Sequence, residues 1–207
     1  MRSKTAKALH PVAGKPLVWY MVSVARRVVD AHVVVIIGHQ ADQVRAFLEQ
    51  SKSELEPFDL VLQPRQLGTG HAVHQAHAAL MPNGKPVCKH CLIINADTPL
   101  LRPETIAQVL AHHEQEQATL TILSAELPDP RGYGRVVRAK QGHVIKVVED
   151  RDATRSERAI REVNVGSYVV DTRFLFQALA GRHAQNAQGE YYPVSYTHLT
   201  LPTILLV

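Results

Sequence analysis

The chain has 207 residues, of which 45% are hydrophobic and 20% charged, and a formal net charge of +4. That length buries a full core, and those proportions suit an ordinary soluble globular domain. No apolar run reaches membrane-spanning length, and aromatic residues at 5% with no basic–aromatic interleaving argue against a single-stranded nucleic-acid platform.

The two cysteines point to a reducing compartment rather than a disulfide scaffold, and the basic start lacks the apolar block of an export signal. A cytoplasmic location is therefore expected. Arg2, Lys4, Lys7 and Lys15 cluster in the first fifteen residues with no acid among them, which predicts a local positive field suited to phosphates.

Residues 1–16 carry Pro and Gly punctuation without period and read as loop. Leu17 to Val29 reads as a helix, with Leu17, Tyr20, Met21, Val24 and Val28 at three- and four-residue steps. His32 to Gly38 contains VVVII, a β-branched run typical of a buried strand. Ala41–Gln50 follows as a helix with Val44, Phe47 and Leu48 inward. Residues 60–63 read as a short strand, and 69–80 as an alanine-rich helix. Pro82-Asn83-Gly84 is a turn, and Cys91–Asn95 is the next buried strand. Pro103 opens a helix striped by Ile106, Val109 and Leu110, and Ala118–Leu127 is a strand.

This alternation implies parallel pairing. After Pro130 the texture changes. Gly134–Lys140 and His143–Glu149 alternate apolar with polar around Gln141-Gly142, which reads as a hairpin with one wet face. Glu162–Val170 is a further strand, and Thr172–Leu179 a short helix.

The stretch FDLVLQPRQLGTGHAVHQAHAAL, Phe58 to Leu80, is where a ligand site is first expected. Glycines at 68 and 70, between strand and helix, let backbone approach a ligand closely, and Gln63 and Thr69 add an amide and a hydroxyl. The same glycines also serve a plain strand–helix turn. Asp97 directly follows a buried strand, where ligand sites of open α/β sheets lie. Its carboxylate suits either Mg²⁺ against phosphate oxygens or a turn before Pro99.

Cys88-Lys89-His90-Cys91 lacks the second pair a zinc site needs, and a redox motif would open a helix rather than a strand. His71, His74 and His77 step by three and so drift around their helix, giving no metal face. Gly132-Tyr133-Gly134 allows close backbone approach before the hairpin. Glu149 and Asn164 are polar residues in apolar strands, suited to sugar hydroxyls or to the surface.

Seven runs in order, MRSKTAKALHPVAGKPL, VLQPRQLGTGHAV, LIINADTPLL, DPRGYGRVV, VVEDRDA, REVNVGSYVV and NAQGEYY, closely resemble the N-terminal domain of bacterial N-acetylglucosamine-1-phosphate uridyltransferases. The resemblance covers Met1 to Tyr192. It implies an α/β fold, a Rossmann-like nucleotidyltransferase with a doubly wound mixed sheet and a β-hairpin sugar-binding insertion. It implies transfer from UTP to N-acetylglucosamine 1-phosphate, giving UDP-N-acetylglucosamine and pyrophosphate for cell-wall precursors, with Mg²⁺ as cofactor.

By the same resemblance Lys7 contacts phosphate, and Gln63, Gly68 and Thr69 bind uridine. Asn95, Ala96 and Asp97 form the strand-end triplet, whose aspartate holds Mg²⁺. Gly134, Glu149 and Asn164 line the sugar and its N-acetyl group. Lys7 and Asp97 are the catalytic pair. No nucleic acid or membrane partner is implied, and the family's homotrimer forms through a C-terminal β-helix beyond the matched region.

The sequence departs from the family in three ways. The family's first strand and phosphate-cradling glycine loop would precede Met1. Ala6 and Ala96 stand where the family usually has proline and glycine, and Ala6 is expected to loosen the loop before Lys7. Residues 193–207 (PVSYTHLTLPTILLV) do not continue the family's pattern and read as a non-native tail after a 1–192 domain. The 207-residue chain is accordingly expected to lack turnover. The alternatives are a nucleotidyltransferase for another sugar 1-phosphate, and a basic non-catalytic binding module.

Overall fold

The computed structural model describes residues 4–28 and 32–180, and the backbone of 203–206. Arg2, the run NAQGEYY and most of the expected tail lie outside the described residues. Contacts divide the chain into two compact units: residues 1–66, 71–88 and 95–108, and residues 67–70, 89–94 and 109–207.

In the first unit, the opening segment is more ordered than a loop. Lys7–Leu9 makes a 3₁₀ turn, and β1 (Pro11–Val12) pairs antiparallel with β2 (Lys15–Pro16). Ala13 and Gly14, both at positive φ, supply the tight connection. Helix α1 (Leu17–Val28) buries Val18, Met21, Val22 and Val24. Strand β3 (Val34–Ile37) leads to α2 (Ala41–Gln50), which buries Val44 and Leu48. The short α3 (Lys52–Leu55) inserts the fully buried Leu55, and was not legible from periodicity.

Strand β4 (Asp59–Leu62) pairs parallel with β3, Val34 opposite Asp59 and Ile37 opposite Leu62. Ala6, Val18, Val22, Ile37, Val44, Leu48 and Leu55 form the core, with Trp19, Phe47, Phe58 and Leu60 packed against it. The expected helix over 69–80 is two helices, α4 (Thr69–Gln75) and α5 (His77–Leu80). Ala76 stands between them with ψ near zero, which ends the first helix. A 3₁₀ turn over Pro82–Gly84 follows as expected.

In the second unit, β5 (His90–Ile93) pairs antiparallel with β9 (Glu162–Asp171), Cys91 opposite Val170. Helix α6 (Pro103–Gln115) precedes β6 (Leu120–Glu126), which is also antiparallel to β9. The sheet is mixed, as the resemblance implied, because β9 runs against both neighbours, while the parallel pairing read from the alternation holds for β3 and β4. The β6–β9 register shifts between Leu123 and Ser124: Leu123 faces Ser167, whereas Ser124 faces Asn164.

Strands β7 (Arg135–Arg138) and β8 (Val144–Val148) form the expected hairpin, and β7 joins β9 at Arg135–Val163. A short α7 (Arg155–Arg158) is held by a capping box, Thr154 accepting from the Glu157 N–H. Helix α8 (Thr172–Ala180) buries Leu175, Phe176 and Leu179. Strand β10 (Thr203–Leu206) lies parallel to Leu120–Leu123 of β6. Among the described residues no helix is long and apolar enough to cross a membrane.

Candidate functional site

Lys7 reaches Asp97 across 90 residues of sequence: its Nζ donates to Oδ2 at 2.6 Å. The side chains are 66% and 43% exposed, so water screens the pair, and its contribution to stability is small. Its placement is the informative part. The Lys4–Ala6 backbone is clamped by the opening turns of α2. Gln43 accepts from the Ala6 N–H at 3.1 Å and donates to the Lys4 carbonyl at 3.1 Å, and Gln40 donates to the same carbonyl at 3.0 Å.

Ala6 is 2% exposed, with φ −54 and ψ 138, angles a proline could adopt. Proline would lose the N–H that Gln43 holds. The expectation that Ala6 loosens this loop is thus corrected, because the residue is buried and anchored on both sides. Ala96 is not among the described non-glycine residues at positive φ, so its backbone carries no glycine-only strain. Beside it, the Asn95 carbonyl accepts from the Thr98 hydroxyl at 3.1 Å, which shapes the turn that presents Asp97.

Of the four clustered cations, Lys7 and Lys15 are paired with acids. Lys15 pairs with Glu54 at 2.8 Å, and the Trp19 indole donates to the same carboxylate at 2.9 Å. Lys15, and then Trp19, holds the Glu54 carboxyl below its usual pKa. The sequence shows no acid near these lysines because their partners come from α3 and from the segment after β5.

Gln63 sits at the end of β4, 8% exposed, with its N–H on the Ile37 carbonyl at 2.7 Å. Its amide meets His71 of α4, Nε2 to Nδ1 at 3.0 Å, and Gln75 meets the other ring nitrogen at 3.3 Å. His71 is therefore no drifting surface histidine. Its tie to Gln63 was not legible, because a spacing of eight residues across a strand–loop–helix bend has no periodic signature.

In the second unit, Gly68 has φ +96, which explains glycine there, and Thr69 begins the seven-residue α4. Gly134 abuts Glu149: a Cβ on Gly134 would lie 3.2 Å from Glu149 Oε1 and 3.1 Å from Val147 Cγ1. The Gly134 carbonyl accepts from the Asn164 N–H at 2.9 Å. The β6–β9 register shift sets Asn164 apart from an ordinary strand residue. Its Oδ1 accepts from the Gly166 N–H at 3.0 Å, and its Nδ2 donates to the Tyr168 hydroxyl at 2.7 Å. Burial pushes the Tyr168 phenol up to about 12, and the Asn164 hydrogen bond opposes it. The phenol is thus neutral and available as an acceptor.

Gly134, Glu149 and Asn164 therefore come together. Arg135, which sequence reading passed over, follows Gly134 directly. It is fully buried, donates to the Tyr133 carbonyl, and pairs with Asp150 at 2.8 Å. An arginine in an apolar strand beside a glycine pair was the signal that could have found it. Cys88 and Cys91 are not joined in a disulfide, and no group of three or more metal-ligating side chains occurs among the described residues.

The described residues thus give a mixed α/β fold with an ammonium–carboxylate pair after one strand and a glycine-lined hairpin elsewhere. The solved structure of HddC from Yersinia pseudotuberculosis matches 100% of this chain and 82% of its own at a TM-score of 0.70 and 16% identity. A UDP-glucose pyrophosphorylase complexed with UDP-glucose matches 88% and 74% at a TM-score of 0.67 and 18% identity. These likenesses establish the fold.

Residues 1–164 match the family described as MobA-like NTP transferase domain, and the chain belongs to that family. Relatives include the bifunctional protein GlmU of Brevibacillus brevis, 45% identical over 93% of this chain. The bifunctional protein GlmU of Halalkalibacterium halodurans is 47% identical over the same share. The chain spans about 40% of the length of these relatives.

Proposed function

We propose that this domain carries out uridylyl transfer from UTP to N-acetylglucosamine 1-phosphate, giving UDP-N-acetylglucosamine and pyrophosphate. The juxtaposition of Lys7 and Asp97 supports the reading most directly, because phosphoryl chemistry needs a cation and a hard anionic ligand together. Identity of 45–47% to bifunctional GlmU proteins supports the choice of substrates.

In the reaction a phosphate oxygen of the sugar phosphate attacks the α-phosphorus of UTP in line. The bond from that phosphorus to the bridging oxygen breaks, and pyrophosphate leaves with the electron pair. No covalent protein intermediate is required, so positioning and charge compensation carry the rate. Lys7 places its ammonium against phosphate oxygens.

A single carboxylate together with substrate phosphates is a donor set that suits Mg²⁺. Asp97 would hold the cation through the oxygen not engaged by Lys7. When bound, the metal supplies compensation for phosphate charge. Gln63 reads the base, with Gly68 and Thr69 contributing backbone and hydroxyl. Glu149 accepts from a sugar hydroxyl, and Asn164 addresses the N-acetyl group through the donor and acceptor capacity its two bonds leave over. Asn95 and Ala96 shape the turn before Asp97. The pairing of Lys7 and Lys15 with acids weakens the competing picture of a basic binding module.

Thermal unfolding with UDP-N-acetylglucosamine, UDP-glucose and UTP plus Mg²⁺ tests the assignment. A ligand at a hundred times its Kd stabilises by about 2.7 kcal/mol, a shift of a few degrees for a domain this size. UDP-N-acetylglucosamine is expected to give the larger shift of the two sugar nucleotides. An equal shift with UDP-glucose, or none with either, would overturn the reading.

A further inference from the structure

Asn164 and Tyr168 stand four residues apart in β9, which in a regular strand means about 13 Å. Opposite β6 they stand only two positions apart, at Ser124 and Ile122, because the register shift takes up the excess. Two positions correspond to about 7 Å on one face of the sheet, a gap that a phenol and an amide can bridge. The Asn164 Nδ2 accordingly donates to the Tyr168 hydroxyl at 2.7 Å. Tyr168 is 6% exposed and lines an apolar pocket with Ile93, Val170 and Leu175, so its ring belongs to the interior. Asn164 is half-buried.

The Asn164 amide can face only one way round. The Gly166 N–H is a donor with no acceptor capacity, and it lies 3.0 Å from Asn164 Oδ1. Turning the amide over would set N–H against N–H there. Gly166 therefore assigns the oxygen, and Tyr168 takes the nitrogen end. A single bond would leave the amide a hinge. Two bonds, one at each end, fix its plane.

The consequence is for sugar choice, and it rests on the reading of Asn164 as the residue that addresses the N-acetyl group. Beyond its two bonds the amide keeps one N–H and one lone pair on Oδ1. An acetamido group has a carbonyl that only accepts and an N–H that only donates, so it pairs with an amide of defined orientation. A hydroxyl both donates and accepts, so it pairs with either end. Holding the amide still therefore favours the acetamido sugar, and loosening it costs that sugar more than its hydroxy counterpart.

We propose that Tyr168 is a positioning residue which, through Asn164, makes this domain select a 2-acetamido sugar nucleotide over the 2-hydroxy one. The phenol touches no substrate in this role. It supplies the fixed acceptor that the Asn164 amide needs on its nitrogen side.

Two measurements on the full chain test the role. In the first, proton–nitrogen NMR follows hydrogen exchange of the Asn164 side-chain amide, assigned by its loss in Asn164→Ala. Exchange is expected to be slow in the wild-type chain and roughly fivefold or more faster in Tyr168→Phe. Exchange in the wild-type chain as fast as that of an exposed asparagine overturns the proposal, whether or not the variant folds. In the second, calorimetric titration compares UDP-N-acetylglucosamine with UDP-glucose in wild-type, Tyr168→Phe, Asn164→Ala and doubly substituted chains, each checked for folding by circular dichroism. Wild type is expected to prefer UDP-N-acetylglucosamine by roughly tenfold or more, and Tyr168→Phe by less than about threefold. On the Asn164→Ala background Tyr168→Phe is expected to change the preference no further, because no amide remains to be held. A merely structural role would weaken both sugar nucleotides alike. A preference that persists in Tyr168→Phe, or a further loss on the Asn164→Ala background, sinks the positioning role alone. Equal binding of the two sugar nucleotides by the wild-type chain, or binding of neither, sinks the reading of Asn164, and the positioning role with it.

Discussion

Acidification should destabilise this protein through His113. The side chain is 1% exposed, its Nδ1 lies 2.8 Å from the Thr121 hydroxyl, and its buried Nε2 has no hydrogen-bond partner. The His90 ring meets it edge to face at 4.6 Å. Burial first, and the neighbouring His90 second, lower its pKa from 6.5 to about 4. The unfolded chain therefore takes up this proton before the folded one does. Stability from the neutral ring is complete above pH 6.5, and is lost as pH falls through about 4.

Each tenfold change in proton affinity corresponds to about 1.4 kcal/mol, so the loss at pH 5 is about 2 kcal/mol, approaching about 3 kcal/mol below pH 4. Urea unfolding of wild type and His113→Gln at pH 7.5 and pH 5 isolates this contribution, because the glutamine keeps a partner for Thr121 and does not titrate. The wild-type loss should exceed the variant's by about 2 kcal/mol. Equal losses would refute the claim that a buried neutral imidazole is responsible.

Other expectations follow from the same contacts. Lys7→Ala should lower stability by less than about 1 kcal/mol, since its ion pair is exposed, yet abolish measurable UTP·Mg²⁺ binding in calorimetry. Gly134→Ala should weaken UDP-N-acetylglucosamine more than UTP, because the added Cβ presses on Glu149; equal weakening would count against that role. Asp150→Ala should destabilise by about 3 kcal/mol in urea melts, against about 1 kcal/mol for Arg135→Met. The first leaves the cation buried without a counter-ion, whereas the second leaves Asp150 with access to water.

Much of the architecture was readable from periodicity. Residues 41–50 and 172–180, the 135–148 hairpin and the run at 162–171 all declare themselves through apolar spacing. What stayed hidden is non-local or below one period. Four-residue helices such as Lys52–Leu55 show no stripe, and strand direction at β9 is set by partners distant in sequence. The site divides the same way. Asp97 and Gly68 stand at strand and helix ends, which sequence marks. The Lys7 partner, the Gln43 clamp and the His71 tie require the fold, because the chain brings them together over 90, 37 and 8 positions.

The irregularity in β9 has a further meaning. Between Ser167 and Asn164 the pairing with β6 skips two residues, Val165 and Gly166. An excess of two, unlike one, restores the up–down parity of the strand, so Val163 and Val169 keep their inward orientation on either side of it. The strand thus contains a built-in spacer, which lets the Asn164 side chain close on the Gly166 N–H and the Tyr168 hydroxyl without reversing the faces of the strand.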